Sequence, residues 1–218
     1  MTLIQGLGAV IWASPSEQAK HESFVLAPQY PKVTVNDNNV TTGPDLDVTI
    51  DLIKSLEGQY NIDQNRLYTT GQSMGCMSSI ALLIKYPDIF AAAMLVAGQW
   101  DPAKVAPLAK DNLWIVVSQG DTKAYPGMNA ITETLEKEGA KVSRAVWDGR
   151  ANDSEFTYNA TKMIVEGNNI KYTMLKKGTA VPEGQLDDPG NNHRNTWRIA
   201  YNIEGIRDWL FTQVKTTK

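Results

Sequence analysis

The chain has 218 residues, 42% of them hydrophobic and 21% charged, with a formal net charge of −3 and a pI near 5.4. That length fits one α/β domain, residues 1–218, with a core of its own, and the acidic balance argues against a nucleic-acid or anionic-membrane partner. The single cysteine, Cys76, excludes an intramolecular disulfide, and one Cys with two His argues against a Cys/His zinc site.

In chain order, the opening segment MTLIQGLGAVIWASP has neither a basic n-region nor a cleavage site, so no signal peptide is read there. Its apolar residues Leu3, Ile4, Leu7, Val10, Ile11 and Trp12 are expected to fold back, with Val10, Ile11 and Trp12 buried. Residues 24–27 form a short apolar run closed by Pro28 and Pro31 and read as a strand. From 44 to 56 the period is helical, with Leu46, Ile50 and Ile53 on one stripe, Asp45 and Asp47 in the first turn and Gly58 at the end. A strand at 66–70 and a helix at 76–85 follow, the latter stopped by Pro87. Residues 90–97 read as a buried strand with some helical ambiguity from the alanines, and 113–118 as the clearest strand.

Met128, Ile131 and Leu135 mark a further helix ended by Gly139, and 142–147 a further strand. Between 148 and 192 the chain turns polar and rich in Asn and Gly, with one β-like island at 170–175, and reads as an insertion or loop-hairpin excursion. Ile199, Ile203, Ile206 and Leu210 then lie on one face of a last helix. Alternating strand and helix predict an α/β fold with a mainly parallel, twisted sheet flanked by helices. No run approaches the ~20 apolar residues of a membrane span.

One corner of this pattern carries chemistry. In RLYTTGQSMGCMSSIALLIKYP a β-favouring run stops at Gly71-Gln72-Ser73-Met74-Gly75 and a helix starts at once. A G-x-S-x-G match is expected by chance only about 0.05 times in a chain of this composition. Two readings compete. Ser73 caps the helix, as serine often does, or it takes a strained backbone conformation beside obligatory glycines and presents its hydroxyl as a nucleophile.

A serine nucleophile needs a base and a group that fixes the base's tautomer. His21 precedes the corner in the polar stretch SEQAKHES, whereas His193 follows it in DDPGNNHRNTWRIAY, a loop before the last helix. The order Ser, acid, His selects His193. Three aspartates sit after strands: Asp101, which suits a helix cap before Pro102; Asp148, which suits a turn; and Asp121, which emerges from LWIVVSQG behind Gly120. Functional groups gather beyond the carboxyl ends of such strands, and Asp121 is favoured as the acid. Trp100 and Trp147 also fall at strand carboxyl ends, where they line a substrate pocket or pack in the core. Trp197 reads as packing that positions the His193 loop.

GQSMGCMSSIALLIKYPDIFAAAMLVAGQWD, with LWIVVSQGDTKAYPG and NNHRNTWRIAY, resembles the α/β-hydrolase serine esterases. It is most similar to the branch of peptidases, feruloyl esterases and polyhydroxybutyrate-depolymerase-like enzymes. The resemblance implies Ser73 as nucleophile, Asp121 as acid, His193 as base and the Met74 backbone N–H as an oxyanion donor, with no metal or cofactor. It implies a small-molecule ester substrate hydrolysed through an acyl-enzyme. Peptidase, acyltransferase and polyester depolymerase activities remain open, as does a non-catalytic binding module. The chain departs from that family in having no His-Gly or Gly-Gly dipeptide for a second oxyanion donor. It also has only 23 residues before the run at Phe24, too few for the usual N-terminal strands; that region is expected from a preceding domain, and the open sheet edge is expected to be covered by residues 1–23 folding back or by a second copy in a homodimer. Gly6-Leu7-Gly8 is the candidate substitute donor. The compartment, secreted or cytoplasmic, is left open.

Overall fold

The computed structural model describes residues 6–35 and 44–215. The strands are β1 Tyr68–Gln72, β2 Ala92–Val96, β3 Leu113–Ser118, β4 Val142–Trp147 and β5 Ile170–Leu175. They form a sheet in the order β1-β2-β3-β5-β4, with every neighbouring pair parallel. β2 and β3 are buried at every residue, because a parallel sheet is covered on both faces.

The helices are α1 Leu7–Val10, α2 Pro15–Lys20, α3 Asp45–Glu57, α4 Met74–Lys85, α5 Ala124–Lys137, α6 Asp153–Val165, α7 Pro189–Asn202 and α8 Glu204–Thr212. Side-chain alternation along the strands assigns several of them to faces. Thr69 bonds Ser79 of α4, while its neighbour Thr70 bonds Tyr201 of α7. Tyr172 likewise bonds Asn129 of α5, and its neighbour Thr173 bonds Met163 of α6. The pair α4 and α7 therefore flank β1 from opposite sides, as α5 and α6 flank β5.

Helix ends follow local chemistry. Asn152 and Glu155 form a reciprocal capping box at the start of α6. The Asp188 carboxylate accepts from the Asn191 N–H, with Pro189 as the first residue of α7. Gly139 supplies a positive φ of 91° just beyond α5, where the sequence placed the stop.

The structure corrects several expectations. Residues 24–27 carry no strand, and Phe24 is 65% exposed with its ring against Tyr60. β propensity makes a strand only where a neighbour accepts its hydrogen bonds, and among the described residues the strand paired with β1 is β2. The segment 148–192 is not an excursion: it supplies α6, the first turn of α7 and β5, the strand between β3 and β4. The expected last helix is two. Ile203 turns extended (φ −75°, ψ 101°) between α7 and α8, so the 4, 3, 4 apolar spacing survives across a bend.

Arg207 stabilises that bend by donating to the Tyr201 carbonyl at 2.6 Å, and it pairs with Glu17 of α2 at 2.8 Å. Both side chains are almost fully buried. Removing one partner of such a pair costs about 3–5 kcal/mol, because the other charge is left uncompensated. Of the opening segment, Trp12 is buried against Tyr201 and Phe211, as expected, whereas Val10 faces solvent and Ile11 is half-buried. Leu3 and Ile4 lie outside the described residues. No helix among the described residues is long and apolar enough to cross a membrane.

Candidate active site

The β1–α4 corner bears on both readings of Ser73. Ser73 has φ 53° and ψ −119°, a conformation costly for a residue with a Cβ, and its side chain makes no helix-capping hydrogen bond. Its N–H donates to the Val96 carbonyl of β2 at 2.9 Å and its carbonyl accepts from Met77 at 3.1 Å, so both sides of the turn are held.

The two flanking glycines are not equivalent. A Cβ on Gly71 would lie 2.1 Å from the Gly75 carbonyl carbon and 2.6 Å from the Cys76 nitrogen, whereas a Cβ on Gly75 meets nothing within 4 Å. Only Gly71 is sterically obliged. We expect Gly71→Ala to lower the melting temperature by roughly 5–10 °C, since backbone must move to admit the methyl. Gly75→Ala should stay within about 2 °C of the parent. Calorimetry showing equal losses for both would contradict this account.

The Ser73 Oγ lies 2.9 Å from His193 Nε2, and His193 Nδ1 lies 2.5 Å from Asp121 Oδ2. These groups are 120 and 72 residues apart in the chain. An ionised carboxylate can only accept, so Nδ1–H donates to Asp121 and Nε2 is left to accept the Ser73 proton. Asp121 is buried, and its other oxygen accepts from the backbone N–H groups of Ala124 and Lys123 at 2.9 and 3.1 Å. Burial alone would raise its pKa, but the His193 hydrogen bond and those N–H groups outweigh it and hold the carboxyl below its ordinary value.

His193 sits inside the first turns of α7 rather than in a loop, and the Trp197 indole lies edge-on to its ring at 5.2 Å. That contact agrees with Trp197 as a support for the histidine. Asp101 caps a 3₁₀ turn through the Ala103 N–H, and Asp148 accepts from the Arg150 N–H within its own turn. His21 bonds Asp208 and stacks on Phe211, both in α8.

Met74 is the first residue of α4, exposed beside Ser73, so its N–H belongs to the unpaired first turn of the helix. Gly6 caps α1 and Gly8 packs against the Tyr201 hydroxyl, whose partner is Thr70 of β1. Trp100 is 6% and Trp147 3% exposed, the latter against Trp114 and Phe156, which favours the core reading for both. Two clefts near α6, one reaching α7, are lined by other residues than the Ser73–His193–Asp121 chain. Ser73 itself is partly exposed and is followed by the exposed Met74 and Gly75.

Outside this site, Glu17, His21 and Asp208 bring potential metal ligands within 4.8 Å of one another. Arg207 already neutralises Glu17, and His21 is hydrogen-bonded to Asp208, so the group is held by its own contacts. The Cys76 thiol is pushed up by burial and is correspondingly inert.

A parallel sheet, a strained serine at a strand-to-helix corner and a Ser-His-Asp hydrogen-bond chain define an α/β-hydrolase. Residues 9–205 match the family model described as "Putative esterase", and the chain belongs to that family. Among solved structures, a thermostable esterase is similar with a TM-score of 0.71 and 26% identity, over 95% of this chain and 48% of that one. The chain thus spans about half the length of that esterase. A structure described as FAE is 14% identical (TM-score 0.37), over 66% of this chain and 47% of that one. A mutant of the feruloyl esterase module from Clostridium thermocellum, complexed with sinapinate, is 13% identical (TM-score 0.39), over 72% of this chain and 56% of that one. No curated protein matches the sequence.

Proposed function

We propose that the protein is a serine carboxylesterase acting on small-molecule esters. The observation that carries this is the unbroken chain from Ser73 Oγ through His193 to Asp121, at 2.9 and 2.5 Å, with Ser73 held in a conformation that capping does not require.

In this reading Ser73 attacks the ester carbonyl while His193 Nε2 takes its proton. Asp121 keeps the imidazole in the accepting tautomer and stabilises the imidazolium. The tetrahedral oxyanion meets the Met74 N–H at the head of α4, where the helix dipole adds partial positive charge. His193 returns the proton to the departing alcohol, and the acyl group is left on Ser73. A water, deprotonated by the same histidine, then releases the acid. The partly exposed Ser73, followed by exposed Met74 and Gly75, suits esters that present an accessible carbonyl, such as short-chain or aryl esters. The same triad would serve a peptidase, an acyltransferase or a polyester depolymerase, which are separated by an amine leaving group, by an acyl acceptor other than water and by a polymeric substrate respectively.

The test is hydrolysis of p-nitrophenyl acetate with pre-steady-state sampling. A burst of p-nitrophenol equal to the enzyme concentration is expected, followed by slower turnover. No hydrolysis of this or of longer acyl esters by folded protein would leave the binding-module reading in its place.

A further inference from the structure

We propose that Asn192 and Ser118 form a positioning pair that locks the turn bearing His193 onto the loop bearing Asp121, an inference that rests on the triad reading above. Asp121 and His193 come from distant parts of the chain, so their 2.5 Å contact requires something that fixes β3's exit loop against the start of α7. The residue immediately before His193 does this. Asn192 is 2% exposed, and its Oδ1 accepts from the Ser118 hydroxyl at 2.8 Å.

Ser118 ends β3 and is fully buried. Its Oγ also accepts the Gly120 N–H at 3.1 Å, and its carbonyl accepts the Asp121 N–H at 3.0 Å. The hydroxyl therefore has its one hydrogen to give, and gives it across the gap to Asn192. The Asn192 amide donates both ways on its own side, to Asp187 Oδ1 at 2.6 Å and to the Asp188 carbonyl at 2.9 Å. Both amide N–H groups donate and the amide oxygen accepts, which fixes its orientation.

The fit is also steric. A Cβ at Gly120 would fall 2.2 Å from Asn192 Oδ1, so the acid's loop approaches the asparagine as closely as a glycine permits. Among the described residues, the Asn192 side chain hydrogen-bonds to Ser118, Asp187 and Asp188, not to Ser73. Its effect passes through the placement of the imidazole between Asp121 and Ser73, where an error near 1 Å can cost about 10²-fold in rate.

The experiment measures kcat and KM for p-nitrophenyl acetate in Asn192→Ala, Ser118→Ala and Ser73→Ala, and in Asn192→Ala combined with Asp121→Asn, each per folded enzyme by circular dichroism. Asn192→Ala is expected to lower kcat by about 10- to 100-fold with KM within about twofold. Ser118→Ala, which deletes one atom, should lower kcat by about 3- to 10-fold. In the Asp121→Asn background, where the imidazole is no longer held by its acid, Asn192→Ala should cost under about threefold. A merely structural asparagine would leave kcat per folded enzyme unchanged, or would cost the same factor in both backgrounds, and either result overturns the proposal. Should Asn192→Ala not fold, Ser118→Ala decides: parental kcat there refutes the pair. Ser73→Ala keeps the two levels apart. Hydrolysis surviving in that variant would reject the triad itself, whereas its loss alongside parental rates in the other two rejects only the positioning pair.

Discussion

Replacing Ser73 with alanine is expected to lower ester hydrolysis by roughly 10⁴- to 10⁶-fold, the range seen when a triad nucleophile is removed. Folding should change little. Alanine keeps the Cβ, so the strain of a φ near 53° is the same, and the two backbone hydrogen bonds of residue 73 do not involve its hydroxyl. The lost contact is the one to His193 Nε2, and the histidine retains its bond to Asp121. An organophosphonate probe supplies the complementary measurement. It should add its mass to the tryptic peptide containing Ser73 in the parent and to nothing in Ser73→Ala. Labelling at another serine, or parental turnover by the alanine variant, would overturn the assignment.

Asp121→Asn should lower kcat by about 10⁴-fold with little change in KM. The reason is directional. The carboxylate accepts from Nδ1–H, but an asparagine amide donates there, which places the imidazole hydrogen on Nε2, where Ser73 needs an acceptor. Asp101→Asn and Asp148→Asn should stay within about threefold of the parent, because each serves its own turn. The reverse ranking would move the acid to another strand end.

Stability adds a second readout. The folded-state pKa of Asp121 is depressed, so its contribution is fully present above the unfolded carboxylate value of about 4 and is lost as pH falls through the lower folded value. The urea-unfolding difference between parent and Asp121→Asn should therefore be largest near neutral pH and narrow in acid. A difference that widened below about pH 4 would contradict the depressed pKa.

Read alone, the sequence determined what depends on near neighbours. The apolar runs 113–118 and 142–147 coincide with β3 and β4 residue for residue, because β-branched and aromatic runs between turn residues have few other solutions. The strand–Gly-x-Ser-x-Gly–helix corner was legible for the same reason. Two histidines and three post-strand aspartates left few ways to complete a triad; chain order selected His193, and the loop emerging behind Gly120 favoured Asp121. Only the tertiary structure decided what depends on pairing. β5 reads locally as an isolated island in a polar stretch, yet it joins β3 to β4 because parallel strands are ordered by helical crossovers rather than by sequence proximity. Residues 24–27 have strand composition but no ladder to join. Gly71 and Gly75 look alike in the motif, and only the packing of one turn against the other separates the glycine that is needed from the one that is not. The Ser118–Asn192 bond lies beyond sequence reading for the same reason: a hydrogen bond spanning 74 residues has no local signature, since its donor and acceptor meet only when β3 and α7 pack together.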